Sequence, residues 1–183
     1  MLLSQSSPQS IHVDIDAVGA PAELPLFPVG TQKFIVLSTF SLGVYELYWC
    51  YQNWKRLADV SRLGLSPFWR AFFAPLWCFA LFSMVRALAV EHKVKARWSA
   101  GVLGGLYFIF SVMWRLPDPW WLISFASILP MIPVQRTAQR INAAHPAAMT
   151  EDPNTTYGGA NIAVIVIGTI LFLFGLLGTF AAV

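Results

Sequence analysis

The chain reads as an all-α polytopic integral membrane protein, and three observations carry that reading. It is 57% hydrophobic and only 11% charged, where soluble domains carry about 25% charge. Its mean hydropathy is +0.60. Its apolar residues gather into five helical segments, with the basic residues in short clusters between them, where the preference of cytoplasmic loops for Lys and Arg puts them. Eight Trp and fourteen Phe fit the same picture, because amphipathic rings settle at the headgroup level of a bilayer. The net charge of +3 comes without a basic face or a recognition motif, which argues against a nucleic-acid partner.

Residues 1–32 form a polar tail with Pro8, Pro21, Pro25 and Pro28 and the acids Asp14, Asp16 and Glu23. Without a basic start and an apolar run it is no secretory signal. It is expected to be disordered outside the membrane, with the LPLFPVG stretch at 24–30 resting at the interface. The membrane domain is expected over 33–183.

Segment one, about 33–52, is twenty residues, and about 30 Å as a helix crosses a hydrocarbon core. Gly43 and Glu46 interrupt it. Residues 53–66 mix Lys55, Arg56, Asp59 and Arg62 with Trp54, Leu57, Val60 and Leu65, the pattern of a helix lying on the membrane surface. Segment two, about 68–90, leaves only 71–85 uncharged between Arg70 and Arg86, with Pro75 inside. It spans only if both arginines snorkel; otherwise it re-enters. Segment three, about 98–114, carries Gly101 and Gly105 at the GxxxG spacing that lets helices approach closely. Segment four, about 119–135, opens on Trp120 and Trp121 and contains Pro130 and Pro133, with Arg136 and Arg140 after it. Residues 142–158 are a polar loop. Segment five, 159–183, has no charge and places Gly168, Gly175 and Ala182 seven apart, a stripe suited to packing.

Charge does not fix the topology. Five crossings leave five basic residues on cytoplasmic loops with the N-terminus outside, and seven with it inside. If segment two re-enters, ten fall on one side. Four or five of the five segments are therefore expected to span.

Glu46 is the sharpest candidate for chemistry, because a carboxylate in an apolar segment is costly and faces a partner or a water-filled cavity. Two readings stand: ion or proton handling with Arg70 or Arg86 as counter-charge, or a carboxylate that reaches the interface or fixes helix packing. Lys93, Lys95 and Arg97 suit anionic lipid headgroups, each contributing on the order of 1 kcal/mol, or simply set topology. Cys50 and Cys78 read as small buried hydrophobes, and His12, His92 and His145 lie far apart in sequence. Without HExxH, GxSxG or a phosphate loop, no catalytic, cofactor or metal residues are assigned and enzymatic activity is not expected.

The fragments FPVGTQKFIVLSTFSLGVYELYWCYQNWK, SPFWRAFFAPLW and LPMIPVQRTAQRIN, with the NIAVIVIG helix, resemble a family of small bacterial inner-membrane proteins annotated only as domains of unknown function. The Tyr45-x-x-Tyr48-Trp49-x-Tyr51 run around Glu46 and the SPFWRAFFAP stretch are the most distinctive parts. The resemblance spans most of 27–183 and implies a bacterial source and the cytoplasmic membrane, with no activity to carry over. The expected role is a non-enzymatic membrane component that packs with itself, with lipids or with another membrane protein. The alternatives are an oligomeric channel or transporter with Glu46 on its path, or a membrane enzyme acting on lipids.

Overall fold

The computed structural model describes residues 23–61, 66–149 and 152–181, and within these every regular element is helical. Most of the expected tail, 1–22, lies outside the described residues, as do Arg62 and the side chain of Asp59.

The first helix, α1 (Thr31–Phe40), stops where Leu42 and Gly43 take the left-handed region, φ 55° and 85°. Helix α2 (Val44–Ser61) restarts at once, with the Ser41 hydroxyl accepting from the Tyr45 amide at 2.8 Å. Segment one is thus two helices. Its second half is continuous with the first part of the expected surface helix, which turns Trp54 and Leu57 to the core, beside Trp49 and Cys50, and leaves Lys55 exposed. Two of the tryptophans expected at a headgroup level therefore serve as interior packing.

Helix α3 (Pro67–Phe72) begins on a proline, and helix α4 (Ala74–Glu91) has Pro75 as its second residue. At the first turn proline costs no hydrogen bond and its φ is already helical. Pro75 therefore starts α4 and does not interrupt it. Residues 74–91 run as one unbroken helix, with no reversal of the kind a re-entrant segment needs. Helix α5 (Ala100–Val112) is capped by Ser99 and ends in a 3₁₀ turn over Met113–Arg115. A 3₁₀ stretch, Trp120–Ser127, then leads into α6 (Ile128–Ala144). This helix runs nine residues past the expected end of segment four, because Thr137, Ala138, Ile141 and Asn142 are buried. Helix α7 (Gly159–Ala181) falls where segment five was expected.

Two of these helices, α4 and α7, are long and apolar enough to cross a bilayer. The four or five crossings expected from the sequence are not matched by unbroken helices: segments one and four are each divided, and the apolar run Ala100–Arg115 is shorter.

The core is organised by an extended peptide. Leu24, Leu26 and Val29, expected at an interface, are instead buried between α2 and α6. Side-chain amides satisfy their backbone. Asn142 accepts from the Leu26 amide at 3.2 Å and donates to its carbonyl at 2.9 Å. Asn53 accepts from the Phe27 amide, and Gln135 donates to the Val29 carbonyl while accepting from the Trp49 indole at 2.6 Å. Buried backbone groups need partners, and these amides replace the ladder that a neighbouring strand would supply.

Candidate functional site

The chain break at 41–43 places the first turn of α2 at the wall of a cavity of about 560 Å³. Glu46 lies in that turn and is 5% exposed. Unpaired amides at a helix N-terminus favour an acidic group there. The side chain meets Ser127, the last residue of the 3₁₀ stretch, whose hydroxyl is shared between the two carboxylate oxygens at 3.1 and 3.2 Å. Tyr107 of α5 reaches toward the same carboxylate, with Ser111 one turn further along that helix. Ser38 of α1 is also a lining residue; it is 2% exposed, and its hydroxyl is buried without a hydrogen-bond partner.

The rest of the wall is aromatic and aliphatic, from Phe72 of α3, Trp114, Trp121 and Phe125, and Leu171 and Phe172 of α7. Among the described residues Glu46 is the only carboxylic acid in the lining, and no Lys, Arg or His of theirs joins it. Among the described residues no ion pair holds it. The arrangement is a single carboxylate among hydroxyls in an apolar chamber. It can accept a proton or a cation, and the described lining brings no positive charge to an anion.

The counter-charges expected from the sequence are elsewhere. The Arg70 guanidinium lies between the rings of Trp54 and Trp77, 4.7 and 4.1 Å from their centroids. Arg86 is exposed on α4. Their spacing along the chain suggested Glu46, but aromatic faces satisfy Arg70 by cation–π attraction. Lys93, Lys95 and Arg97 are exposed, while His92, Val94, Ala96 and Trp98 between them are half-buried, so the three cations share the outer side of one extended run. His92 and His145, distant in sequence, stack edge to face at 5.7 Å. Cys50 and Cys78 are buried free thiols.

The glycines divide. At Gly168 a Cβ would overlap the Phe40 carbonyl, so α7 rests directly on the end of α1. Gly175 faces Trp121 of the 3₁₀ stretch at 3.5 Å, and Thr179 on the same face accepts from the Trp121 indole. A Cβ on Gly101 or Gly105 would meet no neighbouring helix; the close approach in α5 is at Gly104, where a Cβ would fall 2.6 Å from the Phe79 ring.

Four residues of the site had no mark in the sequence reading: Ser38, Tyr107, Ser111 and Ser127. Tyr107 and Ser111 are four apart in an apolar segment, which puts both on one helix face. That spacing was a usable signal. Ser38 and Ser127 join Glu46 only through the fold. No protein-family model, no curated protein and no solved structure matches the chain.

Proposed function

We propose that this chain is a non-enzymatic integral membrane protein of the channel or carrier class, with Glu46 as its cation- or proton-binding group. The observation that carries the reading is a buried carboxylate that faces a cavity without a counter-charge. A carboxylate fixed only for packing would be expected to meet an arginine, and Arg70 is engaged by two tryptophans instead.

The backbone around the site supports the same reading. The break at 41–43 and the eight-residue 3₁₀ stretch both border the cavity. A 3₁₀ run of that length is uncommon. In a bilayer, irregular backbone is tolerated where it lines a cavity or is buried in protein. Interrupted helices that present their ends to a central site are the usual way membrane carriers hold ions. On this reading α4 and α7 cross as single helices, and α1–α2 and the 3₁₀ stretch with α6 cross as interrupted ones. Segment three adds a fifth, short crossing. The bacterial inner membrane, and kinship with the family that the quoted fragments resemble, belong to the same proposal.

A purely accessory role is favoured by one feature, the outward side of α7. Its apolar window is only 11% buried within the chain, which leaves a broad face for lipid, a second copy or a partner. Both roles can reside in one molecule.

The test is flux. Protein reconstituted in vesicles is expected to pass protons or a monovalent cation down an imposed gradient, and Glu46→Gln is expected to abolish this while retaining the folded helix content. Flux unchanged in Glu46→Gln would return the carboxylate to a packing role.

A further inference from the structure

We infer that the Glu46 cavity takes a protonated amine carrying an apolar or aromatic body; the inference rests on the cation-binding reading above and narrows its ligand. Three features of the chamber point to that class.

The first is size against charge. About 560 Å³ is the volume of a small-molecule site, far more than a bare ion or a proton relay needs. Within it stands one carboxylate, matched to one positive charge. A hard divalent ion needs six or more oxygens, several of them carboxylates, and no three metal-ligating side chains gather among the described residues.

The second is the wall. Phe72, Trp114, Trp121, Phe125 and Phe172 line the chamber. Aromatic faces attract cations and bury hydrocarbon, so they bind an organic cation through both of its parts.

The third is the unpaired Ser38 hydroxyl. It is buried and has no partner, and its residue, 2% exposed, is one of those that line the same space. A buried hydroxyl without a partner loses a hydrogen bond it would have in water. An ammonium N–H supplies that bond by donating to Ser38 Oγ, while the Glu46 carboxylate takes the charge. A quaternary ammonium has no N–H and leaves Ser38 as it is.

The experiment titrates the purified full chain in detergent with 4-phenylbutylammonium and with its N,N,N-trimethyl analogue, reading the fluorescence of the wall tryptophans. Saturable binding of both is expected, weakened tenfold or more by Glu46→Gln. Ser38→Ala is expected to weaken the primary ammonium several-fold and to leave the trimethyl analogue unchanged. Ser127→Ala, which removes a donor to the carboxylate without removing the charge, provides a second variant if Glu46→Gln fails to fold; it is expected to alter binding of both probes together. Binding indifferent to Glu46→Gln, or Ser38→Ala acting equally on both probes, overturns the assignment. If neither probe binds while vesicles still show Glu46-dependent proton or sodium flux, the amine inference falls and the cation-binding reading stands. If binding and flux are both absent, both fall.

Discussion

Buried polar side chains decide most of this interior. Asn142 alone satisfies both backbone groups of Leu26. Asn142→Ala leaves a buried amide and a buried carbonyl unpaired, at about 1–3 kcal/mol for each group. Thermal unfolding in detergent is expected to show a marked drop, and Asn142→Asp a drop as well, since a carboxylate cannot donate to the carbonyl. Lys33 works in the same way in the first turn of α1: the residue is 4% exposed, and its ammonium donates to Asn154 Oδ1 at 2.7 Å and to the Thr156 carbonyl at 2.6 Å. Glu46 was legible from its charge alone, because a carboxylate in an apolar run has few excuses. Asn53, Gln135 and Asn142 were not. Uncharged amides barely disturb a hydropathy profile, and their partner is a peptide far away in sequence.

At the scale of elements, the glycines give a sharp contrast. Gly168→Ala places a methyl group on the Phe40 carbonyl and must push α1 and α7 apart, at about 1–3 kcal/mol. Gly105→Ala meets nothing within 4 Å and removes a poor helix former, so it is expected to be neutral or to stabilise by up to about 1 kcal/mol. Melting temperatures of the two variants, measured side by side in one detergent, check this. The extent of α7 was readable because an uncharged run of that length admits little else. The break in segment one was half readable. Gly43 marked the place, yet a left-handed Leu42 beside it is a conformation that most side chains avoid, and only the surrounding packing selects it. Proline misled in the opposite direction: Pro75 looked like an interruption and is a helix start.

For the whole molecule, the crossing of α4 is the decisive question of topology. On the proposed reading, the unbroken helix over Ala74–Glu91 crosses and puts the residues before it and after it on opposite sides. Single cysteines at Ser66 and Lys95, both exposed, are expected to react with a membrane-impermeant maleimide from opposite sides of intact membranes. Native Cys50 and Cys78 are buried and give little background. Labelling from one side would restore the re-entrant arrangement, and with it the ten basic residues on one face. The all-helical class was legible from composition; the number of crossings was not, because helices broken at a cavity have the same hydropathy as helices that continue.

The seat of α7 on α1 also sets an order in time. Leu171, Phe172 and Gly175 of α7 follow the other wall residues along the chain, and Ser38 and Thr39, next to the Phe40 on which Gly168 rests, come before them. Until α7 leaves the ribosome, the flank of the Glu46 chamber that it will cover stands open. At that stage the α7 flank of the Glu46 cavity is uncovered, so the docking of α7 on α1 is the step that covers it. A delay in that docking extends the life of a state in which this flank stands open.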